Sequence, residues 1–227
     1  MQEVAKYPDS LLLTQKLIGY YSENGNYDTA LAIADRAIAK NPDVVELWDI
    51  KATLHFENGD TTNAIKAFEN AVNIYPLPEY IISLGTLYAQ TKNPKAIEVA
   101  NALLLSNKAK AEKEAMFIKG LYYNYTGNKS KAINYFDSSI HLDYNYMFAY
   151  REKAIALYDQ KKYDEAVQVL IKAVTVQNNF DEGYYWLGMC YEKLKKPAEA
   201  IQSYQTALLY DKDFVEAKEA LKRLEGK

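Results

Sequence analysis

The stretch that decides the fold runs from Asp181 to Phe214, DEGYYWLGMCYEKLKKPAEAIQSYQTALLYDKDF. It reads as two amphipathic helices joined by a short turn. Leu187, Gly188 and Tyr191 share one face of the first helix, at the offsets that a 3.6-residue period allows. Ala200, Tyr204 and Ala207 share one face of the second. Small Gly188 and Ala200 let the two helices approach closely, and Tyr191 and Tyr204 fill the space beside them. A single hairpin of this size cannot bury its apolar faces, so it needs neighbours.

The neighbours recur along the chain. Stepping back by 34 residues from Ala200 reaches Ala166 and then Ala132, and further steps of 36, 32 and 34 reach Ala96, Ala64 and Ala30. Most of these alanines precede Ile or Val, as in Ala64-Ile65, Ala132-Ile133 and Ala200-Ile201. A period of this length is an architectural signal that outranks local propensity.

The pattern resembles the tetratricopeptide repeat (TPR) family. Its small first-helix residue stands at Ala52, Gly85, Gly120, Ala154 and Gly188. The aromatic three residues on is Tyr21, Tyr88, Tyr123 and Tyr191, with His55 and Leu157 as substitutes. The second helix carries Phe68, Phe136 and Tyr204, and the closing proline survives as Pro42 and Pro76. The resemblance implies an all-α fold, a right-handed α-solenoid of helix-turn-helix units. The units run 11–44, 45–78, 78–112, 113–146, 147–180 and 181–214, with a capping helix at 215–227. The turns fall at Gly25-Asn26, Gly59-Asp60, Lys92-Asn93-Pro94, Gly127-Asn128, Lys161-Lys162 and Lys195-Lys196. Residues 1–10 read as the remnant or cap helix of a preceding repeat, because Tyr7-Pro8-Asp9 matches Asn41-Pro42-Asp43 and Tyr75-Pro76.

Composition narrows the function. Apolar content of 49% and charged content of 25% are ordinary for a globular chain. A net charge of -3 and a pI near 5.6 argue against a nucleic-acid partner, because phosphate binding needs a basic surface. No window approaches the run of about 18 apolar residues that insertion into a membrane requires. The single cysteine excludes an internal disulfide framework. Met1 to Ser10 has neither the cationic start nor the apolar core of a signal peptide. The lone cysteine and an expected missing leader point to a periplasmic or envelope-attached setting ahead of a cytoplasmic one.

Nothing in the residues suggests catalysis, a metal or a cofactor. His55 and His141 lie in different repeats, and neither has a second His or a Cys at ligand spacing. His55 occupies an aromatic core position. Cys190 sits mid-helix between Met189 and Tyr191 with no basic neighbour to activate it. No glycine-rich phosphate loop and no nucleophile elbow appear.

The resemblance implies instead that the first helices line a concave groove. Groove positions read acidic early, through Glu46, Asp49, Glu57 and Glu79, with only Lys16 opposing. They read aromatic later, through Phe117, Tyr125, Phe148, Tyr158, Tyr185 and Trp186, with Asn124, Arg151 and Glu182 among them. Apolar groups at positions not used for packing mark a binding surface, and Tyr and Trp are frequent anchors. Some family members grip an acidic C-terminal tail with a Lys, Asn and Arg clamp. Here Glu46, Asp49 and Glu79 stand where its cations would, so such a tail is a poor ligand. The expected function is a non-catalytic protein-protein interaction module that binds an apolar or basic peptide or partner helix. The alternative is a structural scaffold of a cell-envelope assembly using its convex face or repeat ends, through which homo-oligomers could also form.

Overall fold

In the computed structural model the described residues are 10–226, with the side chains of 106–110 outside that description; the expected remnant helix at 1–10 therefore lies almost wholly outside it. Every regular element among the described residues is an α-helix, and the fold class is the expected all-α solenoid. The chain divides into two compact units at Tyr88 and Ala89, each a stack of helical hairpins.

Unit 1 contains α1 (Leu11–Glu23), α2 (Tyr27–Lys40), α3 (Val45–Glu57), α4 (Thr61–Ile74) and all but the last two residues of α5 (Pro78–Gln90). Unit 2 contains α6 (Lys95–Tyr125), α7 (Lys129–Leu142), α8 (Met147–Asp159), α9 (Tyr163–Val176), α10 (Asp181–Lys193), α11 (Pro197–Tyr210) and α12 (Val215–Leu224). The "first helices" are α1, α3, α5, the C-terminal half of α6, α8, α10 and α12.

The alanine period is the spine of both units. Ala30, Ala64, Ala96, Ala132, Ala166 and Ala200 are all fully buried. At these points a methyl is what the close approach admits, and a longer side chain would force the helices apart. The small first-helix residues act the same way. A Cβ on Gly188 would lie 2.5 Å from the Tyr204 ring, and one on Gly120 would lie 2.5 Å from the Phe136 ring. Each aromatic side chain thus packs directly over a missing methyl in its partner helix. In unit 1, Ile18, Ala30, Ala34 and Leu54 form the core, with Tyr21 and Ile50 packed against it.

Each hairpin turn places one residue in the left-handed region. Gly25, Gly59 and Gly127 do so without a Cβ penalty, whereas Lys92, Lys161 and Lys195 do so at φ near 60°. The glycine turns are followed by Asn26, Asp60 and Asn128, whose side chains accept from the backbone N–H of Thr29, Asn63 and Lys131. The caps Lys162 and Lys196 of α9 and α11 accept no such bond.

One boundary differs from the sequence reading. The division between repeats at 112/113 falls inside α6, a continuous helix of 31 residues. The segment Ala96–Glu112 has no glycine or proline to stop it, and it is rich in Ala, Leu and Lys, which favour the helix. The second helix of one repeat therefore runs directly into the first helix of the next.

Candidate interaction surface on the first helices

Successive first helices meet through one recurring pair. The fifth residue of a first helix faces the second residue of the next, 30 or 31 positions along the chain. In unit 2 this register gives Phe117 with Phe148, Arg151 with Glu182, and Tyr185 with Glu216. The Phe117 and Phe148 rings lie 6.5 Å apart between centroids. Arg151 Nη1 donates to both Glu182 carboxylate oxygens, at 2.7 and 2.5 Å. Burial first, and then the Glu216 charge, raise the Tyr185 pKa. In unit 1 the same register holds Asp49 and Glu79, two carboxylates. Burial, then Glu79, then Glu46, push Asp49 above the usual carboxylate range.

Arg151 is the hub of the unit 2 surface. Its Nε donates to Glu152 Oε1 at 3.2 Å, and its guanidinium lies 5.4 Å from the centre of the Phe148 ring. Glu152 is buried, and burial raises its pKa against the opposing pull of Arg151. Burial alone would lower the pKa of Arg151. Its hydrogen bond to Glu182 and the Glu152 charge more than reverse that, so Arg151 keeps its charge. Tyr125 lies in the same field: burial first, then Glu152, raise its pKa, and Arg151 opposes them.

The aromatic positions do not share one environment. Phe117 is only 7% exposed: it packs on Phe136 and meets Tyr146 edge-on at 5.3 Å. The expectation that it stands open in the groove is corrected here, because Tyr146 at the cap of α8 and Phe148 from the next repeat close over it. Phe148 itself is 53% exposed, and Tyr125 is 39% exposed. Tyr158, Trp186 and Tyr185 are half-buried. Tyr158 meets Trp186 edge-on at 5.7 Å, and Tyr185 packs against Phe214 at 4.9 Å, so each gives one face to the core and leaves part open. Lys193 sits 6.0 Å from the Tyr158 ring centre. Tyr146 was not singled out by its spacing, since it caps α8 rather than lying within it.

In unit 1, Glu46, Glu57 and Glu79 are exposed and Asp49 is half-buried. Electrostatic coupling joins Glu46, Asp49 and Glu79. Glu57, at the far end of α3, is outside the set that acts on Asp49.

Cys190 belongs to the unit 2 core, whereas His141 is exposed. Cys190 is fully buried, and burial pushes its thiol up to about 12, which leaves it protonated and unreactive at neutral pH. His55 is half-buried, with Nδ1 3.5 Å from Asp60. Among the described residues no cluster of His, Cys, Asp or Glu has the geometry of a metal site. No helix among them is long and apolar enough to cross a membrane.

Comparison with known proteins bears on the fold. Tetratricopeptide repeat models match residues 20–77 and 182–214, and a TPR repeat model matches 154–195. Human superkiller complex protein 3 is 26% identical over 216 residues, a match that takes in 89% of this chain and 14% of that protein. The chain thus spans about a seventh of that relative's length. A tetratricopeptide repeat protein from Parabacteroides merdae superposes with a TM-score of 0.78 at 20% identity, covering 98% of this chain and 88% of the other. PilW, a type IV pilus biogenesis factor, superposes with a TM-score of 0.66 at 16% identity, covering 92% and 97%. At these identities the two structures speak for the fold alone.

Proposed function

The chain belongs to the tetratricopeptide-repeat family, and on that premise we propose that it is a non-catalytic interaction module whose first-helix face in unit 2 holds an apolar peptide or partner helix. Proteins of this family generally mediate protein-protein contacts. The observation that supports the reading is the pair Phe148 and Tyr125. They are large aromatic groups left partly open near the Arg151 ion network. Arg151 bonds both Glu152 and Glu182, so the site offers a ligand apolar area on a charged base. The half-open faces of Tyr158, Tyr185 and Trp186 extend that area, with Phe117 as its buried backing. Basic residues of the partner are steered by the acidic patch of unit 1, and an acidic C-terminal tail is disfavoured there.

A random-peptide display selection against the full chain tests this. The expected outcome is enrichment of peptides with aromatic or aliphatic anchors, and loss of their binding to a Tyr125→Ala/Phe148→Ala double variant. Both side chains are exposed enough for the variant to keep its fold. Selected peptides that bind the variant as well as the parent would refute the assignment.

A second reading, assembly through the C-terminal repeat end, is favoured by Leu209 and Val215, which are 71% and 58% exposed. Light scattering across a concentration series would show self-association that Leu209→Asp removes.

A further inference from the structure

The last first-helix rung of unit 2 shows how a polar side chain is completed there. Glu192 of α10 accepts twice at Oε1, from the Tyr204 hydroxyl of α11 at 2.6 Å and from Arg223 Nη2 of α12 at 2.6 Å. Two repeats earlier the equivalent position is Asn124 of α6, and both donors are gone. Phe136 stands where Tyr204 does, and Ile155 stands where Arg223 does. Asn124 is only 6% exposed, and its Oδ1 is buried with no hydrogen-bond partner among the described residues. A buried acceptor left without a donor is costly, and a ligand that brings the donor relieves it.

A missing charge lies at the same rung. Tyr158 of α8 meets Trp186 of α10, 28 positions along, with 5.7 Å between ring centroids. The same step from Asn124 arrives at Glu152 of α8, and Tyr125, next to Asn124, lies in the field of Glu152 and Arg151. Glu152 is 9% exposed and is held at Oε1 by Arg151 Nε at 3.2 Å. Arg151 is itself shared with Glu182, whose two oxygens it reaches at 2.7 and 2.5 Å. Lys129, which also acts on Glu152, is taken by Asp159 at 2.5 Å. One guanidinium thus serves two carboxylates, and the group is one positive charge short.

We propose that this rung is a subsite for one lysine side chain of the protein partner. Its ammonium donates to Asn124 Oδ1 and Glu152, and its stem lies along the open faces of Tyr125 and Phe148. The inference rests on the reading that the first-helix face of unit 2 is the recognition surface, and it names a residue which that face reads. Lysine and not arginine follows from the acceptors. An amide oxygen and a carboxylate oxygen on successive helices suit the tetrahedral donors of a compact ammonium. The planar fork of a guanidinium is matched instead to the two oxygens of one carboxylate, the role that Arg151 already fills at Glu182. A four-carbon stem buries apolar area on the exposed rings while its charged head is satisfied beneath them. The partner's ammonium takes the place that Arg223 holds at Glu192.

The test is a titration of the full chain with Nα-acetyl-lysine amide, read by NMR at the Asn124 side-chain amide and at the backbone amides of Tyr125, Phe148 and Glu152. Nα,Nε-diacetyl-lysine amide, which lacks the charge, is the control. Saturable shifts are expected with the first probe and absent with the second. Asn124→Leu keeps the shape and removes the acceptor, so it should weaken binding at least tenfold without lowering the melting temperature. Ile155→Arg rebuilds within the chain the donor that Arg223 supplies at Glu192, and it should weaken binding as strongly. No saturable shift, equal shifts with the diacetyl probe, or binding unchanged in both variants would overturn the subsite. Nα-acetyl-arginine amide should bind at least fivefold more weakly, and binding equal to lysine would overturn the choice of side chain. The probe carries no apolar anchor, and both variants keep Tyr125 and Phe148. Failure of the peptide-display experiment and failure of this one are therefore distinguishable.

Discussion

The two units solve the same packing problem with opposite electrostatics. In unit 2, two of the cross-helix pairs are closed from within: ring on ring at Phe117 and Phe148, guanidinium on carboxylate at Arg151 and Glu182. Further links with the same spacing reinforce it, such as Lys113 to Asp143 and Lys129 to Asp159, both at 2.5 Å, and Arg223 to Glu192 at 2.6 Å. In unit 1 the equivalent position carries Asp49 against Glu79, a pair that repels. Equivalent positions in a repeat share backbone geometry, so a pair that opposes its own folding is tolerated and not required by the architecture. Tolerated repulsion at a surface is where a partner's charge has most to gain.

The sharpest way to break this comparison is at the aromatic rung. Phe117→Ala should destabilise the protein by about 3–4 kcal/mol in urea unfolding, since a buried ring is lost and a cavity is left. Phe148→Ala, on the same rung but half open, should change stability by less than about 1 kcal/mol and chiefly affect binding. Equal losses from the two would show that Phe148 is a packing residue.

The next largest effect is expected at the ion pair. Arg151→Met leaves buried Glu152 without its cation and should destabilise by about 2–3 kcal/mol at pH 7. The sign of its pH dependence is fixed by burial. The folded pKa of Glu152 lies above the unfolded one, so the native state holds its proton more tightly. Removing the cation raises the Glu152 pKa further, so the loss is full above the variant's folded pKa and shrinks as pH falls from there through the parent's, which unfolding curves at several pH values would show.

The turns sharpen the contrast at a smaller scale. Lys161→Gly relieves a left-handed residue that carries a Cβ, and it should stabilise by about 0.5–1 kcal/mol. Gly59→Lys in unit 1 should do the reverse by a similar amount. Thermal melts of both variants would check the pair.

The smallest effect is expected at Asp49. Asp49→Asn removes the repulsion and should stabilise by less than about 1 kcal/mol at pH 7, because the carboxylates are largely in contact with water. The raised folded pKa of Asp49 means that the penalty is present above that value and disappears as the carboxyl protonates. Variant and parent should therefore match below pH 3.8. A stabilisation that persists there would mean that Asp49 acts through packing instead.

The fold was legible because a 34-residue period in small residues is a statement about distance. Ala200, Ala166 and Ala132 recur where helices approach most closely, and Gly188 answers Tyr204 as its position suggests. The long α6 was less legible. The sequence lacks its closing proline, but a missing stop signal does not by itself say that two helices fuse. The candidate surface was legible in outline. Spacing alone could tell which residues lie on the first helices and could not tell how much of each ring stays open.

What the sequence determined by itself is the repeat, its helical class and the set of side chains that face away from each hairpin's own core, since these follow from periodicity and residue size. What only the tertiary structure decided is the fate of those side chains once a neighbour arrives. Phe117 is covered by Tyr146 and Phe148, and Arg151 finds Glu182, while Asp49 meets the like charges of Glu79 and Glu46. The reason is physical: burial and charge pairing across a stack depend on residues some 30 positions apart, and their separation in space is set by packing alone.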